Sequence, residues 1–180
     1  MSSRLYLNYA NIVDDLFVEK HTDPMTENYQ DYIEMLRRLP HELAAQVANL
    51  TPEALTTAHI PGEWTVAQNI HHLAEAQMAL FSRFKAMVKE DQPTLMPFDQ
   101  DAWAQTPDST HVDIEDSLTL IRVLHRRWAI LAESLTEDEW HRTGHHPENG
   151  DQTPAELLPY AAAHTQLHID QIAETLAARD

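Results

Sequence analysis

Apolar residues recur at intervals of three and four along most of this chain, the period of amphipathic helices rather than the alternation of half-buried strands. Tyr29, Tyr32, Ile33, Leu36 and Leu43 share one side of a segment that the pattern opens at Asp23 or Pro24 and carries to about Leu50. Pro40 lies inside it and predicts a kink or break, because proline removes one helical hydrogen bond. Thr51-Pro52-Glu53 supplies an N-cap, a first-turn proline and an acid for the dipole, and so a short helix. After a loop over residues 59–63, Val66, Ile70, Leu73, Gln77, Phe81, Phe84 and Val88 line a second long helix that starts after Trp64 and ends near Glu90. A third runs from about Asp113 to Ser134 through Ile114, Leu118, Ile121, Leu124, Trp128 and Leu131, and Thr136 opens a short helical turn behind it. The last opens at Thr153-Pro154, with Glu156 as capping-box partner, and continues to about Ala178.

Four long helices predict an all-α four-helix bundle. Every connection is longer than a helical hairpin needs, so chain order does not fix which helices are neighbours. Residues 92–112, with Pro93, Pro97 and Pro107 among polar residues, read as a pocket rim, and residues 144–152 as a loop. The length implies one domain over 1–180, with residues 1–22 as an N-terminal extension.

Composition narrows the function. With 12 basic and 29 acidic residues the net charge is −17, which repels phosphate backbones and anionic membranes and so argues against nucleic-acid and membrane partners. There is no cysteine, hence no disulfide, no thiolate ligand and no cysteine nucleophile. No segment approaches the roughly 20 apolar residues of a membrane span or has the form of a signal peptide, so a cytoplasmic protein is expected.

The remaining chemistry is histidine. His164 and His168, four apart on the last helix, project about 40° from one another on one face, within reach of one ion. With twelve histidines in the chain such a spacing also arises by chance, and His141 with His145, straddling Gly144 at a loop edge, is read as the chance example. Leu157, Ala161, His164, His168 and Ile172 form one stripe, so the first pair faces inward, where it needs either hydrogen-bond partners or a metal. A third ligand would come from His72 or His71 on the second helix, which point about 100° apart; periodicity does not choose between them. Glu75, three residues after His72, is a candidate ligand, orienting group or general base, or a solvated helix acid.

Several segments together resemble the DinB/YfiT-like family of metalloenzymes, and most closely its YfiT branch, over about Tyr9 to Ile172. They are Pro61-Gly62-Glu63-Trp64-Thr65-Val66 followed by His71-His72-Leu73-Ala74; Arg83-Phe84-Lys85; Pro93 with Pro97-Phe98-Asp99-Gln100-Asp101-Ala102-Trp103-Ala104; His125-Arg126-Arg127-Trp128; His146-Pro147-Glu148 with Gly150; and Tyr160 to His168. The resemblance places the family's first metal histidine at His72 and gives His164 and His168 the other ligand roles. Ala163 stands where the family commonly has an aromatic residue, and Leu167-His168 where it has His-His, so the pocket wall is expected to differ. The resemblance implies one divalent transition ion, zinc or nickel, with a coordination position left open for a small-molecule substrate. It also implies a homodimer, and two activities: transfer of a low-molecular-weight thiol, as in the bacillithiol chemistry associated with the YfiT branch, or metal-dependent hydrolysis with Glu75 or a loop acid as base. A metal-binding stress or interaction protein without turnover is the reading from another class.

Overall fold

The computed structural model describes residues 29–179. The four expected long helices are present: α1 (Tyr29–Val47), α3 (Val66–Lys89), α5 (Glu115–Glu133) and α7 (Pro154–Ala177). Between them lie three short ones, α2 (Pro52–Thr56), α4 (Gln100–Trp103) and α6 (Glu137–Trp140). The starts of these helices follow from local chemistry. Thr65, Thr136 and Thr153 each close a capping box with the Gln or Glu three residues on, and Thr51 accepts a bond from the Ala54 N–H. The expected beginning at Asp23 or Pro24 and the extension over 1–22 lie outside the described residues.

α1 packs against α5 and α7, and α3 packs against the same two, so the order around the bundle is α1, α5, α3, α7. The chain therefore crosses the bundle diagonally twice, from α1 to α3 and from α5 to α7, which the long connections make possible.

Pro40 does not end α1, which continues to Val47. A proline at position 40 removes the N–H that would bond the Leu36 carbonyl one turn back. That carbonyl instead accepts a bond of 3.0 Å from Nδ1–H of His125 on α5. A defect within one helix thus becomes a link between two. His125 is fully buried, and burial lowers its pKa to about 4, so it stays neutral. On the other side of the bundle, the buried Gln77 amide of α3 donates to Thr165 Oγ1 (3.0 Å) and to the Ala161 carbonyl (3.3 Å) of α7. Gln77 and His125 mark a polar waist. On one side lies an apolar cluster around Leu36, Phe84, Trp128 and Leu158; on the other lies one around Leu43, Ile70, Ile121 and Ile172.

Residues 144–152, expected to be a loop, contain an antiparallel hairpin of β1 (Gly144–His146) and β2 (Gly150–Gln152). It is not free-standing. His145 exchanges backbone bonds with the segment after α3, accepting from Leu95 N–H at 2.8 Å and donating to the Pro93 carbonyl at 2.9 Å. Gly144 permits this approach: a Cβ there would stand 2.8 Å from Leu95 Cδ2 and 2.8 Å from Met87 Cγ. Arg142 adds a tie to the end of α3, its Nε donating to the Met87 carbonyl at 2.9 Å.

Candidate metal centre

Asn69, His72 and Gln77 of α3 face the stretch of α7 that carries Ala161, His164, Thr165 and His168. Because the Gln77 bonds fix how these two helices sit, they also fix which imidazoles meet. One nitrogen from each of His72, His164 and His168 falls within 4.8 Å of the others, and all three residues are buried. Ring centroids lie 4.6 Å apart for His164 and His168, 4.7 Å for His72 and His168, and 5.4 Å for His72 and His164.

Each ring is held differently. His168 donates from Nδ1 to Asn69 Oδ1 at 2.9 Å, while the Asn69 amide nitrogen is itself engaged with the Thr65 carbonyl at 3.1 Å. That bond fixes the His168 tautomer and turns Nε2 toward the other two rings. His72 lies against the Trp64 ring at 4.7 Å and the Phe98 ring at 5.9 Å, and His164 lies 5.8 Å from Tyr160. Both ring nitrogens of His72 and Nδ1 of His164 are buried without a hydrogen-bond partner among the described residues. Burial, with His164 adding to it, pushes His72 well below the ordinary histidine pKa, and burial with His164 and His72 does the same to His168; burial alone brings His164 to about 4. At neutral pH all three offer neutral lone pairs, the form in which imidazole ligates metals.

The other candidates lie elsewhere. His71 uses both nitrogens, Nε2–H donating to the His111 carbonyl and Nδ1 meeting Ser117 Oγ, each at 2.8 Å, so it ties α3 to the long loop and α5. Glu75 is turned toward that same loop, with Oε1 accepting from Ser109 Oγ at 2.6 Å, and it lines a separate cleft of about 820 Å³ with His71, Met78 and Trp103. Its carboxylate is thus not among the converging imidazoles. No carboxylate oxygen lies within ion-pair distance of His72, His164 or His168 among the described residues. His141 pairs with Glu137 and His145 with Asp151, so these two histidines share no site. His146 accepts through Nδ1 from the backbone N–H groups of Glu148 and Asn149 and shapes the hairpin turn. Asn69 is the residue that sequence reasoning missed. Its signal was available: a buried-face asparagine, a poor helix former, one turn before His72.

A helical bundle that brings three neutral, inward-facing imidazoles together, with one ring oriented by an amide, defines a class of metal-site proteins. The chain belongs to the DinB superfamily, whose family profile matches residues 35–172. It is similar to a Geobacillus kaustophilus protein named "Putative metal-dependent hydrolase", 43% identical over 145 residues that cover 80% of this chain and 82% of the relative. It is also similar to Bacillus subtilis YfiT, which carries the same description, at 34% identity over 149 residues, covering 82% of this chain and 84% of YfiT. The solved YfiT structure, described as an unusual four-helix bundle topology, superposes with a TM-score of 0.81 at 32% identity and covers 87% of this chain and 90% of that one.

Proposed function

We propose that His72, His164 and His168 bind one divalent transition ion, zinc or nickel, and that the protein is a metal-dependent enzyme acting on a small molecule. The observation that carries this reading is the set of orphaned nitrogens. Buried polar atoms normally find partners, and three left unpaired on two neighbouring rings, both nitrogens of His72 and Nδ1 of His164, call for a group that can accept a lone pair from each ring. Nitrogen ligands about 2.1 Å from zinc stand about 3.4 Å apart in a tetrahedron. The observed spread therefore needs closure by little more than an ångström, within the reach of small side-chain rotations. Three nitrogens leave at least one position open, the pattern of a catalytic rather than a structural site.

When bound, such an ion supplies a Lewis acid in a dry pocket and acidifies the oxygen or sulfur nucleophile that enters the open position. Asn69 holds His168 in its ligating tautomer. Trp64 and Phe98 cover His72 and limit water to that position. The names of the relatives favour hydrolysis. A second reading, transfer of a low-molecular-weight thiol to an electrophile, is favoured by the absence of a carboxylate beside the imidazoles among the described residues. Water attack needs a base to take its proton, whereas a thiol, already close to ionisation at neutral pH, needs only the cation.

The protein purified after expression in metal-supplemented medium is expected to hold one ion per chain by elemental analysis. His72→Ala, His164→Ala and His168→Ala should each lose it; unchanged metal content in all three would refute the assignment. Ester and amide substrates, and a bacterial thiol with a model electrophile, then separate the two activities, each measured with and without chelator.

A further inference from the structure

Arg83 stands out among the cations of this acidic chain. Only 9% of it is exposed, and its Nε donates to the Met96 carbonyl at 2.8 Å. Among the described residues its two terminal amino groups have no hydrogen-bond partner and no carboxylate lies within ion-pair distance of it. A guanidinium offers five donors in a planar fork, and the terminal amino groups here are not sealed from solvent, so they stay open to an incoming anion that would complete the set. Among the described residues, Glu148, Tyr160 and His146 are the titratable groups close enough to act on it through space: Glu148 sits exposed on the hairpin turn, and His146 is neutral in its turn.

The placement of Arg83 connects it to the three histidines. It follows His72 by eleven residues on α3, three turns, so the two lie about 20° apart on one face with about 16 Å between their backbones. Both side chains lean toward the N-terminus, so it is the greater length of the arginine that shortens that gap. The loop whose Met96 carbonyl holds the guanidinium also lays Phe98 against His72. Tyr160 stands between, touching His164 on one side and feeling the Arg83 charge on the other.

We propose that Arg83 recognises an anionic group, a carboxylate, phosphate or sulfonate, of the substrate whose reacting bond lies at His72, His164 and His168. The inference rests on the metal-centre reading for the second end of the substrate, and on Arg83 alone for the first. Its ligand carries the negative group several bonds from the reacting one. In a chain of net charge −17, which repels anions at long range, this residue is a local reversal of sign that selects by fit.

The test uses zinc-loaded protein and two alkyl hydroxamates of equal length, one ending in a methyl group and the other in a carboxylate, with affinities read by calorimetry. The carboxylate form is expected to bind at least tenfold tighter. That advantage should fall below twofold in Arg83→Gln and survive in part in Arg83→Lys, with metal content unchanged in both. Equal affinity of the two probes in the parent protein, or an advantage that persists in Arg83→Gln, overturns the proposal. A second measurement does not need the ion: the Arg83 Nε–H resonance of metal-free protein should shift and saturate with glutarate or inorganic phosphate but not with chloride at matched ionic strength. No shift with either anion overturns it. A protein that takes no metal yet shows the saturating shift would refute the metal centre and leave the anion site standing. If Arg83→Gln does not fold, as judged by circular dichroism, Arg83→Lys and the resonance decide.

Discussion

At the scale of single residues the centre depends on who holds each imidazole. Asn69→Ala removes the acceptor that orients His168 without touching a proposed ligand, and second partners of this kind typically change metal affinity about 10- to 100-fold. A fall of that size in competition with a chromophoric chelator is expected, with Asn69→Asp restoring part of it; unchanged affinity in Asn69→Ala would show that the bond does not orient the ring. His125 gives a pH effect of known sign. Folded, its pKa is about 4; unfolded, it returns to the ordinary value near 6.5. Between those values the unfolded chain binds a proton that the native one refuses, so stability falls as pH drops from about 6.5 to about 4, by about 1.4 kcal/mol per pH unit. Denaturant melts at pH 7, 6 and 5 should show this slope shallower by about one proton in His125→Gln than in the parent; parallel slopes would contradict it. Spacing and burial pattern were enough to pair His164 with His168 and turn both inward. They could not choose His72 over His71, because both are buried on α3 and only the partners across the bundle distinguish them: His71 finds Ser117 and His111, and His72 finds none.

At the scale of elements, the helices with local start signals were legible. Thr51, Thr136 and Thr153 were visible as start signals because a cap bond closes within four residues. The hairpin was not legible, since its first strand also rests on Pro93 and Leu95, about fifty residues away, and no local pattern encodes that contact. That Pro40 does not break α1 was hidden in the same way: the donor that replaces its missing N–H comes from α5, not from α1. The hairpin's dependence on close approach makes Gly144→Ala a pointed test. The added methyl meets two buried side chains, an overpacking that typically costs about 1–3 kcal/mol. Chemical denaturation should show a loss of that order; a neutral result would mean that Leu95 and Met87 yield freely.

At the scale of the whole molecule, the periodicity implied four helices and a bundle, but not their order around it. The diagonal path from α1 to α3 and from α5 to α7 follows from which faces fill which gaps, and that is a property of all four helices at once. A cut near residue 112 would therefore leave each half with two helices that face each other only across an empty centre. Neither fragment is expected to melt cooperatively alone, whereas an equimolar mixture should regain a cooperative helical transition; a cooperatively folding fragment would contradict the diagonal arrangement. The same separation sets the order of events during synthesis. His72 leaves the ribosome some ninety residues before His164 and His168. The cluster cannot close until the last helix has been released and has found α3, so a nascent chain passes most of its time with a single imidazole to offer and nothing to hold an ion in place.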